Sequence, residues 1–408
     1  MAIVNSDTLV VKKFGGSSLA SPEKIRRVAA YLTEEKRRGK DVIVVVSAMG
    51  DTTDHLLGLA RTVSPHPPKR ELDMLLTAGE RISMALLSMA ISEMGCQAIS
   101  FTGSQSGIVT DTSHTSARIL DIKAFRVREE LEKGKIVIVA GFQGVSPAKE
   151  VTTLGRGGSD TTCVALASAF NAHECDIFTD VDGVYTAHPG LVSDARRIPF
   201  ISYEEMMELS YCGAEVLHWR SVEVARRFGV KVNVRSAFGK ELGTVVTRSE
   251  EIEAHDVTGI TQDVKLVRIR PPHGGDAPVK TQAVLEVLEA AGVNVRFLHI
   301  PPAAVPGGAV SVVIPEDQKQ SAVEHLVKGF AGRRFELDEN LGMVSIIGQG
   351  LCSKPGIAGR VLASLESLGV EPEMVSTSGV TMTILMERDR VVDTVRKLHS
   401  DLGLSQTP

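Results

Sequence analysis

Short apolar runs of strand length alternate with helix-length segments over the first 248 residues, and few folds accommodate that order. Strands are predicted at Thr8–Lys12, Asp41–Ser47, Gln97–Phe101, Ile136–Ala140, Asp176–Phe178 and Lys231–Val234. The segment Leu72–Met94 carries apolar residues three and four apart, which predicts a helix. Strands that are apolar along their whole length need cover on both faces. The pattern therefore predicts an α/β domain over residues 1–248, with a mostly parallel sheet sandwiched by helices.

The rest of the chain gives one order of elements twice. The polar, acidic stretch Gly243–Asp256 is predicted to be the boundary, followed by domains at 257–335 and 340–408. The predicted elements are Lys265–Ile269, Val279–Ala291, Val293–His299, Ala309–Ile314 and Gln318–Phe330 in the first copy, and Gly342–Ile347, Gly356–Leu368, Val370–Ser376, Thr381–Met386 and Val391–Leu398 in the second. This is a repeat of roughly 70 residues per copy. We expect two small ferredoxin-like βαββα domains.

Composition and charge narrow the functional classes. The chain has 408 residues, 43% of them apolar and 23% charged, with a net charge of −5. A dedicated nucleic-acid binder needs a basic face, which this balance does not favour. The longest apolar runs are only strand-sized, so no membrane span is expected. Residues 1–11 lack a basic flank followed by a long apolar run, so no signal peptide is expected either.

Cysteine and histidine usage is the next constraint. The five cysteines form no Cys-x-x-Cys pair and are expected to be reduced and mostly buried, as in a cytoplasmic protein. The eleven histidines form no His-x-x-x-His pair. A metal site built wholly from protein side chains is therefore not expected.

Two glycine-rich segments carry the strongest chemical signals. Lys12-Lys13-Phe14-Gly15-Gly16-Ser17-Ser18 follows the first strand, and adjacent glycines beside a lysine let backbone N–H groups and a fixed charge surround an anion. An ordinary strand–helix turn would look similar, and the spacing is not that of a Walker A loop. Thr152-Thr153-Leu154-Gly155-Arg156-Gly157-Gly158-Ser159-Asp160 leads into a helix. Its arginine suits bidentate capture of a carboxylate or phosphate, although Asp160 could simply cap the helix.

Two acidic segments are more ambiguous. Glu80 and Arg81 lie in Thr77-Ala78-Gly79-Glu80-Arg81, and taken alone they are typical of a solvated surface pair. Thr179-Asp180-Val181-Asp182-Gly183-Val184-Tyr185-Thr186 follows a buried strand, and Asp-Gly there favours a turn. The alternative is a nucleotide rim where a carboxylate orients phosphate-binding groups or waters on Mg²⁺.

In this order, the four segments resemble those of the aspartate kinases of the amino-acid kinase superfamily. The likeness extends over essentially the whole chain. It includes Val46-Ser47-Ala48-Met49-Gly50-Asp51-Thr52-Thr53-Asp54, Phe101-Thr102-Gly103-Ser104-Gln105 and Gly141-Phe142-Gln143-Gly144. The tandem C-terminal domains are similar to the ACT pair of that family, which senses amino acids.

The resemblance implies a role for each matching residue. Lys13 and Asp160 would be catalytic, and the phosphates of ATP would contact Lys13, Phe14, Gly15, Gly16, Ser17, Ser18 and Ser47. Thr179, Asp180, Asp182 and Tyr185 would border the nucleotide. Arg156 would hold a carboxylate of aspartate and Glu80 its ammonium, with Thr53, Gly157, Gly158, Ser159 and Asp160 completing the substrate site.

The implied reaction moves the γ-phosphoryl group of ATP, with Mg²⁺, to the β-carboxylate of L-aspartate. The product would be 4-phospho-L-aspartate, the entry to lysine, threonine, methionine and diaminopimelate synthesis. A carboxylate is already ionised at neutral pH, so the reaction needs no general base. Positioning and electrostatics would then supply the catalysis.

Three departures from the family pattern bear on function. Glu215 stands where lysine is usual, and Ala187-His188-Pro189-Gly190 stands for Ala-Asp-Pro-Arg; both changes remove cations from the ATP side. In the first ACT domain, Pro271-Pro272-His273-Gly274-Gly275-Asp276 replaces an Asp-Lys-Pro-Gly loop. Arg296 and Gly379 stand where acidic residues are usual for gripping an effector's ammonium. We therefore expect inhibition by lysine or threonine to be weakened or absent.

Partners and rival functions follow from the same likeness. No methionine lies between Met207 and Met343 to start a separate regulatory subunit, so a homo-oligomer joined through the ACT domains is expected. One rival is a superfamily kinase for acetylglutamate, glutamate, UMP or carbamate, although Glu80 with Arg156 favours a free amino acid. The other rival is a catalytically weakened paralogue that acts as an amino-acid-binding regulatory subunit, which Glu215 and Gly190 support.

Overall fold

The computed structural model describes residues 7–239, 242–251, 256–271, 279–300, 310–331, 333–351 and 354–405. The chain divides into two compact units. Among the described residues, the first unit runs to Thr186 and resumes from Arg196 to Thr258. The second comprises Ala187–Ala195 and the chain from Gly259 onward.

The first unit alternates strands and helices. Its elements are β1 (Leu9–Phe14), α1 (Pro22–Arg37), β2 (Asp41–Val46), α2 (Thr52–Val63), α3 (Lys69–Leu76), α4 (Ala78–Glu93), β3 (Ala98–Phe101), β4 (Ile108–Thr110), β5 (Ile119–Ile122), α5 (Phe125–Glu132), β6 (Ile136–Ala140), β7 (Gln143–Val145), β8 (Val151–Thr153), α6 (Gly158–Phe170), β9 (Glu174–Thr179), β10 (Phe200–Ser202), α7 (Tyr203–Tyr211), α8 (Trp219–Phe228), β11 (Val232–Ser236) and β12 (Thr244–Thr247).

An eight-stranded sheet forms the centre of this unit, in the order β10-β12-β11-β9-β1-β2-β6-β3. Its pairings are parallel except for β11 with β12, which confirms the predicted mostly parallel sheet. Side chains alternate between the two faces of a strand. Val10 and Phe14 of β1 accordingly join one core with helices α1 and α4. Val11 and Lys13 point to the other face, which α6 covers.

A second, four-stranded sheet in this unit was not predicted from the sequence. Its order is β5-β4-β7-β8, and three of its strands have only three residues. Such short strands carry too few alternating positions to be recognised. The last of them, β8, leads directly into the loop that contains Arg156.

The segment predicted as one helix, Leu72–Met94, is two helices that meet at Thr77. The Thr77 N–H donates to Asp73 O at 3.2 Å, and its carbonyl accepts from Gln143 Nε2 at 3.4 Å. The stretch Lys69–Glu93 is apolar and long enough to cross a membrane by length and composition only. That finding is weak evidence, because the core helices of soluble proteins meet the same criterion. Leu87 and Ile91 of α4 are buried in the core of the first unit.

The second unit holds two further four-stranded sheets. Its elements are β13 (Gly259–Asp263), β14 (Leu266–Arg270), α9 (Thr281–Ala290), β15 (Phe297–His299), β16 (Ser311–Pro315), α10 (Lys319–Gly329), β17 (Glu336–Asp338), β18 (Leu341–Ile347), α11 (Ile357–Ser367), β19 (Met374–Thr377), β20 (Thr381–Glu387) and α12 (Val391–Asp401). The βαββα order occurs twice, as predicted: β14 to α10 and β18 to α12.

Sheet pairing in the second unit adds a feature that the sequence did not reveal. The sheets are β15-β16-β14-β17 and β13-β18-β20-β19. Strand β13, which precedes the first βαββα copy, pairs antiparallel with β18 of the second copy. Each sheet therefore has one strand beyond its βαββα copy: β17 in the first and β13 in the second. The predicted boundary near residue 257 places β13 in the first domain, whereas it pairs with the sheet of the second.

Candidate active site

The carboxyl ends of four parallel strands meet at one edge of the large sheet. These are β1, β2, β6 and β9, which are followed by the segments at Gly15, Ser47, Gly141 and Asp180. Backbone hydrogen bonds join the strand ends, because Ser47 N donates to Phe14 O at 3.1 Å and Gly141 N to Val46 O at 3.0 Å. Open α/β sheets bind ligands at this edge.

Lys13 lies at the centre of this edge, on the face that α6 covers. Its Nζ is 2.6 Å from Asp160 Oδ1 in the first turn of α6, and both side chains are nearly buried. The ion pair joins the two glycine-rich segments of the sequence. A cation held in this way is available to an anion that approaches the strand ends.

The neighbouring lysine has a different environment. Lys12 is fully buried on the opposite face, with Nζ 2.6 Å from Asp176 Oδ2, and Asp176 also pairs with Arg235. Burial alone would lower the pKa of Lys12, but Asp176, Tyr31 and Glu35 together outweigh burial and raise it. Lys12 is therefore part of a satisfied internal ion network and not of the ligand edge.

The glycine segment after β1 only partly matches its predicted role. The Gly15 N–H already donates to Phe178 O at 3.2 Å. The Gly16 N–H, in contrast, has no partner among the described residues. The Phe14 ring stacks on Phe178 in the core, with ring centroids 4.6 Å apart, so only its backbone lies at the edge. Ser17 is exposed, Ser18 is buried and Ser47 is half-buried.

Glu80 is buried, so its interpretation as part of a solvated surface pair is wrong. Its side chain is 3% exposed in the first turn of α4, and Oε2 has no hydrogen-bond partner among the described residues. Burial raises the pKa of Glu80 to about 7, although N–H groups of Glu80 and Ala48 donate to the carboxyl and oppose the rise. A buried, unsatisfied carboxylate oxygen fits a cationic ligand such as an ammonium group.

The approach of α4 to the end of β2 depends on Gly79. A methyl group at this position would lie 2.7 Å from Cβ of Ala48. Only glycine lets the first turn of α4 lie close enough for the Ala48 N–H to reach Glu80. The sequence Ala-Gly-Glu thus brings the carboxylate to the strand ends.

The Arg156 loop lies between β8 and α6. The Arg156 guanidinium is exposed and makes no hydrogen bond or ion pair with any described residue, which leaves its planar fork available to a ligand. Gly157 and Gly158 lead into α6, and Ser159 is buried beside Gly141 at the end of β6. Asp160 follows four residues after Arg156, so the loop and Lys13 share one edge. We call Lys13, Glu80, Arg156 and Asp160 the acceptor side.

The segment after β9 is more open. The Thr179 hydroxyl donates to Asp180 Oδ1 at 2.9 Å, and the Tyr185 hydroxyl donates to Asp182 Oδ1 at 2.8 Å. Asp180 is exposed, and Asp182 and Tyr185 are half-buried. We call these four residues the nucleotide rim. Thr53 is half-buried in the first turn of α2, where its neighbour Thr52 approaches Gly79 more closely.

His218, which precedes α8, was not predicted as a site residue. A methyl group at Gly157 would lie 2.0 Å from Cβ of His218, so the imidazole is packed against the Arg156 loop. Burial and the Arg220 charge lower the pKa of His218, and Nδ1 accepts a hydrogen bond from Arg220 N at 3.3 Å. A neutral ring with this acceptor carries its proton on Nε2. The close contact with Gly157 is what places His218 at the site, and no spacing in the sequence predicts that contact.

Two departures from the family pattern lie in exposed positions. Glu215, where the family pattern has lysine, is exposed, and so are His188 and Gly190. An exposed charge interacts weakly with its surroundings because water screens it. Of the third departure, residues 272–276 lie outside the described residues.

Comparisons with known proteins agree with this geometry. A family model described as "Amino acid kinase family" matches residues 8–236, more than half of the chain, and one described as "ACT domain" matches residues 344–402. The fold and the site thus define a catalytic domain of the amino acid kinase class that is joined to ACT-type regulatory modules.

Relatives identify the family within that class. The aspartokinases of Mycolicibacterium smegmatis and Corynebacterium glutamicum are 46% and 44% identical to this chain over 405 residues, covering 97% of it and 96% of each relative. This chain belongs to the aspartokinase family. The sequence resemblance is thereby confirmed.

Solved structures support the fold. Aspartokinase III of E. coli in complex with aspartate and ADP superposes with a TM-score of 0.80 at 24% identity, covering 97% of this chain and 100% of that one. At that identity the likeness concerns the fold alone. An aspartate kinase from Synechocystis is 33% identical with a TM-score of 0.55, covering 98% of this chain and 70% of that one.

Proposed function

We propose that this chain transfers the γ-phosphoryl group of ATP to the β-carboxylate of L-aspartate. The product would be 4-phospho-L-aspartate, the first intermediate on the route to lysine, threonine, methionine and diaminopimelate. The carrying observation is that a buried carboxylate with a free oxygen, Glu80, and an unpaired arginine, Arg156, lie at the same strand ends as the Lys13–Asp160 pair. Family membership supports the same reaction.

The acceptor side suits a zwitterionic amino acid. The Arg156 fork would bind the α-carboxylate through two N–H donors, and Glu80 would accept the α-ammonium. Ammonium binding also satisfies the otherwise unpaired Glu80 Oε2 and keeps the carboxyl ionised despite its raised pKa. With both ends of the zwitterion held, the side-chain carboxylate would point toward Lys13.

Lys13 would carry the electrostatic part of catalysis. Its ammonium is already oriented by Asp160, so it would need little reorganisation when negative charge develops on the transferring phosphoryl group. The Gly16 N–H would add a donor at the same point. The attacking carboxylate needs no base, so in-line positioning would supply most of the remaining acceleration.

Mg·ATP enters this scheme as a substrate. Asp180 and Asp182 lie at the end of β9, where their carboxylates would face water molecules on the metal that accompanies the nucleotide. Among the described residues, no group of three or more histidine, cysteine, aspartate or glutamate side chains could hold a metal ion by itself. The Mg²⁺ would therefore arrive bound to ATP.

Formation of aspartate hydroxamate in the presence of Mg·ATP and hydroxylamine tests the proposal. Hydroxylamine traps the acyl phosphate, so a signal with aspartate places the phosphoryl group on a carboxyl. Glutamate, acetylglutamate, UMP and carbamate should give little ADP in a parallel panel. Arg156→Ala should abolish the signal, and Arg81→Ala, an exposed arginine on α4, should retain it. ADP release with another acceptor but not with aspartate would contradict the proposal.

A catalytically weakened regulatory subunit is the second candidate, because Glu215 stands where a lysine is usual. It predicts binding of an amino acid without turnover in the parent and in Glu215→Lys alike. A weakened enzyme would instead turn over aspartate slowly, and the lysine would accelerate it. The hydroxamate assay on both proteins separates the two functions.

Regulation and assembly remain proposals of the same kind. Arg296 Nη2 lies 3.6 Å from Asp263 Oδ2, so a cation already occupies the position expected for an acidic residue. We infer that lysine plus threonine inhibit this enzyme weakly, and strong inhibition by the pair at millimolar concentration would overturn that.

A homo-oligomer joined through the ACT sheets and a cytoplasmic location complete the proposal. Light scattering of the purified chain tests the oligomeric state.

A further inference from the structure

One fully buried carboxylate that takes no part in the proposed chemistry connects the chain segment that carries Glu80 with the segment that carries Arg156. Asp73 lies on α3 and has no exposed surface. It accepts four hydrogen bonds: from Thr153 Oγ1 at 2.6 Å, from His114 Nδ1 at 2.6 Å, and from Thr115 N to both carboxylate oxygens at 3.1 and 3.2 Å. Donors from two separate segments thus converge on a single side chain.

The position of Asp73 in the chain makes this cluster relevant to the site. It lies one helical turn before Thr77, whose N–H donates to the Asp73 carbonyl, and seven residues before Glu80. Its partner Thr153 is the last residue of β8, three residues before Arg156. Asp73 is therefore a fully buried link between the segment that carries Glu80 and the segment that carries Arg156, beside the exposed ion pair of Arg70 with Glu150.

The residues around Thr153 are held as tightly as Thr153 itself. Thr153 O accepts from Ala117 N at 2.9 Å, Leu154 N donates to Phe142 O at 2.8 Å, and Leu154 O accepts from Arg220 Nη1 at 2.5 Å. Thr115 adopts a left-handed backbone with φ of 70°, a conformation that costs free energy unless its surroundings impose it. In this conformation the Thr115 N–H donates to both carboxylate oxygens of Asp73.

Arg156 itself makes no contact that could orient it. Its guanidinium has no hydrogen bond or ion pair to the part of the chain that the structure describes, so the direction of its fork depends on where the loop backbone is held. We propose that Asp73 is a positioning residue that fixes the Arg156 loop relative to Glu80, and so sets the affinity for the amino-acid substrate. This inference rests on the proposed function.

A matched pair of buried threonines tests it. Thr153→Val removes the hydroxyl that donates to Asp73 and keeps the shape of the side chain. Thr110→Val removes an equally buried hydroxyl from the same small sheet, one that pairs with Thr152 Oγ1 at 2.5 Å and does not touch Asp73. Both variants lose buried hydrogen bonds, so thermal unfolding of each should be measured to separate a general loss of stability from an effect on aspartate.

The expected result is specific to one substrate. Thr153→Val should raise the KM and the Kd for aspartate about tenfold relative to Thr110→Val, because it removes a hydrogen bond to the carboxylate that holds the Arg156 loop. The KM for ATP should stay the same in both variants. Thr153→Ser, which keeps the donor, should restore the parent value. Asp73→Asn should raise the aspartate KM further.

Several outcomes overturn the inference. Equal aspartate KM and Kd in Thr153→Val and Thr110→Val, or an equal rise in the KM for ATP, would leave Asp73 with a structural role only. Calorimetry of aspartate binding separates this failure from that of the proposed function. A parent that binds aspartate without turnover would contradict the kinase proposal alone, and the Kd comparison still decides the positioning role. A parent that neither binds nor phosphorylates aspartate contradicts both.

Discussion

The acceptor side and the nucleotide rim both lie at the carboxyl ends of strands in the large sheet, but they differ in burial and in the partners of their charged groups. Glu80, Asp160 and Lys13 are buried and held by backbone N–H groups or by each other, whereas Asp180 is exposed and Asp182 is only half-buried. A buried charge that loses its partner costs several kcal/mol, but an exposed one costs little. These three buried groups of the acceptor side should therefore tolerate almost no change of charge, and the exposed rim should tolerate many.

This contrast would allow the departures from the family pattern to coexist with the proposed activity. Glu215 and Gly190 are both exposed, and a single charge matters little at an exposed position. We expect substitutions on the acceptor side to change activity by orders of magnitude and those near the nucleotide by small factors.

Lys13→Met is the strongest test of the contrast. Removing the cation beside Asp160 takes away charge stabilisation in the transition state and leaves the Asp160 carboxylate unpaired. We expect kcat to fall about 10³-fold, in line with the loss of one preorganised electrostatic group. The measurement is steady-state ADP release with saturating substrates. Lys133→Met, which removes an exposed lysine paired with Glu130, should leave kcat unchanged. A fall of less than tenfold in Lys13→Met would contradict the assignment.

Glu80→Gln should be next in size and should also change the pH dependence. The pKa of Glu80 in the free protein is about 7, so lowering the pH protonates the carboxyl and removes the charge that would bind the ammonium. The parent's affinity for aspartate should rise as pH increases from 6 to 8. Glu80→Gln should bind aspartate about 100-fold more weakly above pH 8, since a desolvated charge partner is lost, and its affinity should not vary across that range.

The same substitution should stabilise the protein without ligands. A raised carboxyl pKa means that the native state binds the proton more tightly than the unfolded state, so the parent loses stability as pH rises from about 4.5 to 7. Glutamine carries no charge and avoids this cost, which is on the order of 3 kcal/mol. Thermal unfolding should therefore show Glu80→Gln several degrees more stable than the parent at pH 8 and little different at pH 5. A lower Tm at pH 8 would contradict the raised pKa.

The sequence predicted the sheet and the residues at its edge well, because strand alternation and glycine loops are local signals. Residue patterns alone could not predict which of two adjacent lysines faces α6, since that depends on which face of β1 the helix covers, and only the family resemblance indicated Lys13. In the structure Lys13 reaches Asp160 and Lys12 reaches Asp176. Strand periodicity places the two lysines on opposite faces but does not assign the faces.

The remaining differences come from contacts between distant segments. The charge state of Glu80 depends on the approach of α4 to Ala48, and the Gly15 N–H is used by Phe178 of β9. His218 and Asp73 were not predicted to bear on the site, because their partners Gly157 and Thr153 are 61 and 80 residues away in the chain. Local patterns carry no information on such pairs, which form only when the sheet order is set.

Tyr185→Phe sharpens the comparison from the nucleotide side. It removes the hydroxyl that donates to Asp182 at 2.8 Å and leaves the ring in place. Because this pair is partly solvated, we expect the KM for ATP to rise by only about three- to fivefold, with the aspartate KM unchanged. Initial rates at varied ATP and saturating aspartate measure it. A 100-fold rise in the KM for ATP would mean that the nucleotide rim is as sensitive to substitution as the acceptor side, which would contradict the distinction between them.

Glu215→Lys should have the smallest effect and tests the distinction most directly. If Glu215 were in a dry phosphate site, reversing its charge would improve ATP binding by several kcal/mol. Because the side chain is exposed, screening limits the gain, and we expect the KM for ATP to fall only about two- to threefold. The gain should shrink further when ionic strength rises from 0.05 to 0.5 M, since the Debye length shortens to a few ångströms. Glu215→Gln should give about half of the change on a logarithmic scale. A large gain that persists in high salt would mean that this position contacts the phosphates directly, so that the parent is impaired where it binds ATP.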